Sequence, residues 1–252
     1  MSGHSKWAGI KHKKAIVDAK RGQTFTKVTR ELSVAAREGG PDPTSNFRLR
    51  LAMQKAREVN MPADNVERAV QRGAGGKEGV QLEEIRYEGY GPHGVAVMVD
   101  VLSDNRNRTV AAIRNLFTRA GGSLGETNSV GWMFTQQGVL RVPAGKYDPE
   151  ELALELLEVV DVGAEGDVGL DGDSVVVTVS PSDFEAARAA IEAAGHTVDS
   201  GEVTMNPSTS VPLDAKQAVA VLRLLDALEE DDDVQQVYAN AEIPDNVLES
   251  VG

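Results

Sequence analysis

Apolar residues in the first third of the chain recur at the spacing of an α-helix. One such stripe contains Phe25, Val28, Leu32, Ala35 and Ala36, and the predicted helix ends at Gly39, Gly40 and Pro41. A second stripe predicts a helix from about Asn46. A third helix is predicted to start at Pro62, because proline suits the first helical position, with Gly73 just after the helix end. Three short helices of this kind make a small helical domain.

The pattern changes after a glycine-rich linker at 73–79. Strands are predicted over 85–90, 95–102, 130–134, 138–142, 174–180, 197–205 and 234–238, and helices from about Asn105 and over 149–160, 181–194 and 214–230. Asp214 and Gln217 have the spacing of a capping box at the start of the last helix. Several neighbouring strand pairs favour an α+β fold, with helices on one face of a sheet, over a doubly wound parallel sheet.

The net charge of −13 is distributed unevenly along the 252 residues. Residues 1–80 contain 16 Lys and Arg against 8 Asp and Glu, a net charge of +8. Residues 81–252 contain 10 against 31, a net charge of −21. Because phosphate binding depends on local positive potential, this split predicts a nucleic-acid partner at the N-terminal end only. The alternative is a chance difference in charge between the two ends.

The first 30 residues carry the strongest binding signal. Cations there can neutralise phosphates while Trp7 stacks on an exposed base. The candidate nucleic-acid-binding residues are Lys6, Trp7, Lys11, His12, Lys13, Lys14, Lys20, Arg21, Lys27 and Arg30. The alternative is a solvated tail whose tryptophan packs onto the helical domain. Residues 1–22 contain too few apolar side chains to bury a helix face, so we expect much of this segment to be mobile without a partner.

A second basic group lies in the helix predicted from about Asn105. Arg106, Arg108 and Arg119 are possible secondary nucleic-acid contacts. At ~100° per residue, Arg108 and Arg119 project to the same side of this helix. The alternative is that these arginines pair with nearby acids, which are abundant in this region.

Motifs for catalysis or cofactor binding are not found. The absence of cysteine excludes disulfides, thiolate zinc sites and a thiol nucleophile. Gly89–Gly94 matches G-x-G-x-x-G, but a β-branched run follows where a dinucleotide site needs a helix, so a hairpin turn is predicted. The four histidines lack metal-ligand spacing, and the run Asp231–Asp233 is typical of a solvated face. We therefore expect no enzyme activity, no cofactor and no metal.

The chain also lacks the signals of a membrane or secreted protein. No apolar run approaches the ~20 residues that cross a bilayer, and the N-terminus has no apolar core of a secretory signal. A mitochondrial transit peptide is disfavoured by Gly9, Gly22 and the compact Lys-His-Lys-Lys run. We expect a cytoplasmic protein with no membrane partner.

Several long blocks of sequence resemble the YebC/PmpR family. They are MSGHSKW, KHKKA and DAKRG at the start, then MPADNVERAVQRG, YEGYGPHGVAVMVD, SDNRNRTVAAIRNLF with GGSLG, WMF, and LEEDDDVQQVYANAEIP. Together they cover essentially the whole chain. Members of the family usually have glycine where this chain has His93 and Asn128.

The resemblance implies three domains. They are an N-terminal three-helix domain and two α+β sandwich domains, one inserted in the other. The expected bounds are 1–79 for the basic helical domain, 80–130 with 206–252 for the discontinuous α+β domain, and 131–205 for the inserted α+β domain.

The resemblance also implies a regulator of gene expression. The family is described as probable transcriptional regulators that bind DNA, while related members include mitochondrial translational activators of cytochrome oxidase, and bacterial members are linked to relief of ribosome stalling. The family's opening motif stands at residue 1, which favours a bacterial cytoplasmic protein.

Three functions stay open at this point. They are a DNA-binding transcriptional regulator, a translation factor associated with the ribosome or its RNA, and an adaptor that binds only protein through its acidic domains. No helix is predicted to carry the Arg/Asn/Gln cluster that reads bases in the major groove, and Trp7 among lysines suits RNA at least as well as DNA.

Overall fold

The computed structural model describes residues 18–75, 82–164, 166–244 and Val247, with side chains from Gly22 onward. The described residues form two compact units. One consists of residues 133–208, and the other joins residues 18–132 to residues 209–247. Both units contain antiparallel sheets with helices, and the larger also contains an N-terminal helical region, so the predicted α+β class is confirmed.

Three helices open the larger unit: α1 (Asp18–Gly39), α2 (Phe47–Glu58) and α3 (Ala63–Ala74). Their apolar stripes meet in one small core, which contains Val28, Leu32, Ala35, Ala36, Leu49, Ala52, Ala56, Met61 and Ala69. The buried Asn46 caps α2 by accepting the N–H of Leu49 at 3.0 Å. Its Nδ2 donates to the carbonyl oxygens of Ala35 and Gly40, each at 2.7 Å. One side chain therefore joins the end of α1 to the start of α2.

The sheet of the larger unit is antiparallel, in the order β3-β1-β2-β9. Its elements are β1 (Glu83–Tyr90), β2 (Ala96–Ser103), α4 (Arg106–Arg119), β3 (Ser123–Leu124), α7 (Ala215–Glu229) and β9 (Val234–Ala239). Alternate residues of β2, such as Val97 and Val99, share one core with α4 and α7. A short parallel pair, β8 (Val211–Pro212) with β10 (Ala241–Glu242), completes the unit. The turn between β1 and β2 confirms the hairpin predicted at Gly89–Gly94.

The smaller unit is a four-stranded antiparallel sheet with two helices, in the strand order β5-β6-β4-β7. Its elements are β4 (Phe134–Pro143), α5 (Pro149–Val159), β5 (Asp167–Asp171), β6 (Ser174–Val179), α6 (Phe184–Ala193) and β7 (Ser200–Pro207). Val175, Val177 and Val179 alternate along β6 and are buried, as are Leu156 of α5 and Ile191 of α6. Alternation on the central strand therefore places the core between the sheet and the helices.

The N-terminal helices differ from the sequence prediction at the start of α1 and at the end of α3. The chain is helical from Asp18, seven residues before the apolar stripe begins. Contacts of Gln23 and Lys27 with the end of α7 support this early part of α1. Gly73 lies inside α3 instead of after it, because it is the point of closest approach to α1.

In the second half of the chain one predicted strand was wrong and one strand was not predicted. The strand predicted at 130–134 is a 3₁₀ turn at Gly131–Met133, because the backbone amides of Val130 and Gly131 donate to a carboxylate instead of a sheet neighbour. Strand β5 was missed, since acids and glycine dilute its β-propensity. Its pairing with β6 through the turn at Gly172 supplies the stability that propensity does not.

Candidate nucleic-acid interface

The predicted binding residues fall into three groups. Lys6, Trp7, Lys11, His12, Lys13 and Lys14 lie outside the described residues. The backbone of Lys20 and Arg21 belongs to α1, but their side chains are also outside the described part. Lys27 and Arg30 are described in full. The structure therefore locates the helix that carries the basic segment but brings together only its last two cations.

Those two cations point into the larger unit. Lys27 donates from Nζ to the carbonyl oxygen of Glu229 at 2.5 Å, at the last residue of α7. Cations are favoured at this end of a helix, where unpaired carbonyl oxygens carry partial negative charge. Arg30 donates from one guanidinium nitrogen to the carbonyl oxygen of Asp232 at 2.5 Å and to the carboxylate of Asp233 at 2.9 Å. These residues thus fix α1 against the junction of α7 and β9.

Asp233 is the centre of this junction, and its side chain is only 8% exposed. It accepts hydrogen bonds from Arg30 of α1 and from Arg108 of α4, the latter at 2.7 Å. The hydroxyl groups of Thr109 and Ser103 lie 2.6 and 3.2 Å from the same carboxylate. We call these five residues the Asp233 cluster. The expectation that the run Asp231–Asp233 forms a solvated face was therefore wrong for its last member.

The charge of the Asp233 cluster is held in place by hydrogen bonding. Burial disfavours the ionised carboxylate, but the bonds from the Thr109 hydroxyl and from the two guanidinium groups outweigh this effect. The pKa of Asp233 is therefore lowered below the usual range of aspartate. Two positive charges that sequence reasoning assigned to nucleic acid are thus shared with one buried anion.

The secondary basic group on α4 contains one arginine that is paired within the fold and two that are exposed. Arg108 pairs with Asp104 and with Asp233, each at 2.7 Å, although its side chain remains 53% exposed. Arg106 and Arg119 lie on the exposed surface of the helix. The alternative that such arginines pair with nearby acids therefore describes Arg108, while Arg106 and Arg119 present their charge to solvent.

Arg48 of α2 is another cation that is paired within the fold, although its side chain is partly exposed. Its guanidinium group donates to Glu31 and Glu38 of α1, each at 2.7 Å, and also to Glu84 of β1. Burial disfavours its charge, but these carboxylates more than compensate and raise its pKa further above the usual range of arginine. Arg48 therefore joins the helices to the sheet and contributes to architecture.

The exposed side of α3 carries polar residues that sequence reasoning missed. Asn65, Arg68 and Arg72 follow one another at i, i+3 and i+7, which puts them on one face. The side chain of Arg68 donates to Asn65 Oδ1 at 2.6 Å and to the carbonyl oxygen of Asp64 at 3.0 Å. The helical spacing of these three residues is visible in the sequence of 63–74.

An apolar groove lies between α2 and α3. It encloses about 450 Å³ and is lined by Pro41, Pro43, Met53, Arg57, Met61, Ala63, Val66, Glu67, Val70 and Gln71. Most of this lining is aliphatic, while Arg57, Glu67 and Gln71 supply hydrogen-bonding groups. A surface of this kind can accept one unstacked base, whose edge then meets the polar groups.

A buried carboxylate fixes the loop that precedes an exposed tryptophan. Glu88 of β1 accepts the backbone N–H groups of Asn128, Val130 and Gly131 at 2.9, 2.8 and 2.6 Å. Burial disfavours the charge of Glu88, but these amides lower its pKa below the usual range. The next residue, Trp132, is 70% exposed. The loop is thus fixed by hydrogen bonds while its tryptophan faces solvent.

Metal-binding groups and membrane-spanning helices were both sought among the described residues. Among them, no group of three or more His, Asp or Glu side chains has an arrangement that would hold a metal ion. None of the helices formed by residues 18–75, 82–164 and 166–244 is long and apolar enough to cross a bilayer.

Two family models match this chain, one in the helical region and one in the sheet-containing part. The sequence model described as "TACO1/YebC protein N-terminal domain" matches residues 5–76, and that of the "TACO1/YebC second and third domain" matches residues 82–241. Together the two models extend over most of the chain, from the basic segment to the end of the sheet of the larger unit.

Similar proteins match over their full length. One from Shewanella oneidensis is 53% identical over 252 residues, which is 100% of both chains, and one from Rubrobacter xylanophilus is 53% identical over 252 residues, 100% of this chain and 99% of that one. Both are named "Probable transcriptional regulatory protein". A solved structure is also similar, the crystal structure of the conserved hypothetical protein Aq1575 from Aquifex aeolicus. The two sequences are 46% identical, and the superposition covers 95% of this chain and 97% of that chain with a TM-score of 0.83. Identity at this level over whole chains shows that the protein belongs to the TACO1/YebC family.

Proposed function

We propose that this chain is a non-enzymatic, cytoplasmic regulator of gene expression that acts by binding DNA. The observation that carries this proposal is the charge distribution, +8 over residues 1–80 and −21 over the rest. A local excess of cations binds the phosphate backbone, whereas the acidic remainder is repelled by it. The similar proteins named as probable transcriptional regulatory proteins support the same function.

The proposed contact surface is the basic N-terminal segment. Lys6, Lys11, Lys13, Lys14, Lys20 and Arg21 would neutralise phosphates, with Trp7 stacking on a base and His12 adding a hydrogen bond. Arg106 and Arg119 would supply secondary contacts. Lys27 and Arg30 would act indirectly, because their bonds to the end of α7 and to Asp233 hold α1 in place.

Ribosomal RNA is the second candidate ligand. The groove between α2 and α3 favours it, since an unstacked base is available in RNA loops but not inside a DNA duplex. In this case the protein would act on translation. The phosphate contacts of the basic segment would be the same, so the two functions differ in the base contacts and in the site that is bound.

The contribution of the basic segment can be measured in the full-length protein. Replacing Lys11, Lys13 and Lys14 by alanine should weaken binding to duplex DNA and flatten its salt dependence. Each lost phosphate contact lowers the slope of log affinity against log salt by about 0.9, so a loss of about 2–3 is expected. The matched control removes three exposed cations elsewhere, Lys146, Lys216 and Arg223. Equal effects of the two triple variants, or no effect of the first, would refute the proposed contact surface.

One comparison separates the candidate targets. Co-sedimentation with ribosomes is measured beside recovery of the protein on promoter DNA, at the same salt concentration. Recovery on DNA alone supports transcriptional regulation, and co-sedimentation alone supports translation. A protein that binds only other proteins would be found in neither fraction, which would overturn both.

A further inference from the structure

The outer face of α5 in the smaller unit exposes two leucines. Leu152 and Leu156 of this helix are buried against the sheet, whereas Leu154 and Leu157 are 67% and 53% exposed. The two exposed residues are three positions apart, so they lie side by side on the surface of the helix. Single exposed leucines are ordinary, but an adjacent pair opposite the buried stripe gives α5 a second apolar surface.

Acidic residues surround this leucine pair. Glu150, Glu151 and Glu158 are exposed on the same half of the helix, and no ion pair joins them to a cation within the described residues. Glu158 lies in the last turn of α5, where the helix dipole disfavours negative charge, and that turn contains no basic residue. Helix stability therefore does not account for either the leucines or this glutamate.

The whole smaller unit has the same electrostatic character. Residues 133–208 contain three Lys and Arg and fifteen Asp and Glu, a net charge of −12. A nucleic acid is repelled by such a surface. A second copy of this face would be repelled as well, since a symmetric contact brings the same acids together. The complementary ligand is positively charged and also carries apolar side chains.

We propose that the outer face of α5 is a docking site for a basic amphipathic segment of a partner protein. Apolar side chains of the partner cover Leu154 and Leu157, and its lysines or arginines pair with Glu150 and Glu158. This is the arrangement in which an amphipathic helix recognises a small apolar surface with a charged rim. The contact area is small, so the interaction is weak and reversible. It is independent of nucleic-acid binding by the N-terminal segment.

The test uses the full-length protein and a labelled synthetic helical peptide of lysine and leucine, with its leucines at i, i+3 and i+7. Fluorescence anisotropy gives the affinity. Leu154→Ser combined with Leu157→Ser should weaken binding at least tenfold, because burial of the two side chains is lost. Val219→Ser removes an exposed apolar residue of α7 and should have no effect. Since all three positions are exposed, the variants are expected to fold normally.

Charge is tested separately. Glu150→Gln with Glu158→Gln should weaken binding and reduce its salt dependence more than Asp167→Asn with Asp199→Asn, which removes the same charge elsewhere in the unit. A scrambled peptide of equal composition should bind at least tenfold more weakly than the amphipathic one. If the leucine variants bind normally, or if the scrambled peptide binds equally well, the face is only a generic polyanion and the proposal is wrong.

One further outcome would assign the surface to another occupant. Sedimentation of the parent protein and of the Leu154→Ser, Leu157→Ser variant measures self-association. If the parent forms oligomers and the variant does not, the face binds a second copy of this chain, and the proposed partner is refuted.

Discussion

Replacing Gly73 by alanine tests how closely α3 packs on α1. A Cβ atom at this position would lie 2.1 Å from the carbonyl oxygen of Ser33, 2.9 Å from its carbonyl carbon and 3.0 Å from Cβ of Ala36. The first two are backbone atoms, so no side-chain rotation relieves the overlap. The two helices must separate by roughly 1 Å to reach an ordinary contact, which also strains the bond of 2.9 Å from Ser33 Oγ to the carbonyl oxygen of Ala69.

The expected magnitude follows from two opposing effects. Overpacking of a rigid core costs about 1–3 kcal/mol, and the upper end applies because both neighbours are backbone. Alanine regains about 1 kcal/mol of helix propensity. Gly73→Ala should therefore lower the free energy of unfolding by about 2 kcal/mol.

The matched control is Gly22→Ala in α1. Gly22 is exposed in the same kind of element, and a Cβ there meets no atom within 4 Å. This variant should be more stable than the parent by about 0.5–1 kcal/mol. Urea unfolding followed by circular dichroism measures both. If Gly73→Ala is as stable as the parent, or if both variants shift in the same direction, the close approach of the helices described here is wrong.

Three other substitutions probe positions with a positive φ or a buried charge. His93 has a φ of 62° and Asn128 a φ of 67°. Asparagine tolerates this left-handed conformation, and histidine does so less well. In thermal unfolding, His93→Gly should therefore stabilise the protein by about 0.5–1 kcal/mol, whereas Asn128→Gly should change its stability little. Asp233→Asn should lower the free energy of unfolding at pH 7 by about 2 kcal/mol, since a charged acceptor of several hydrogen bonds is lost. The pKa of Asp233 is lowered in the folded protein, so its ionised form stabilises the fold above the unfolded pKa and loses this effect as pH falls through the folded value. The difference between variant and parent in urea should therefore shrink below about pH 4, and a constant difference would contradict the assigned role of the carboxylate.

Local features of the fold were predictable because neighbouring residues determine them. The helix predicted from about Asn46 is present as α2, and the capping box of Asp214 and Gln217 forms both of its hydrogen bonds. The hairpin of β1 and β2 followed from two β-branched runs around a glycine-rich turn. In each case the interacting residues are close in sequence, so a pattern within a short window is sufficient.

Features that depend on distant partners were not predictable. Glu88 turned a predicted strand into a 3₁₀ turn through residues about 40 positions further along the chain. Asp233 is buried because Arg30 and Arg108 approach it from two other helices. Charge composition therefore indicated where cations are concentrated, but not which of them are already neutralised within the fold.

The bond between Arg30 and Asp233 also has a consequence for biosynthesis. The two residues are 203 positions apart, so α1 cannot make this contact until nearly the whole chain has been synthesised. Contacts of such long sequence separation form late, after the loop between them has closed. The helix at the end of the basic segment thus emerges first from the ribosome and is among the last elements to be fixed. During this interval its cations are neutralised by no partner at the junction of α7 and β9.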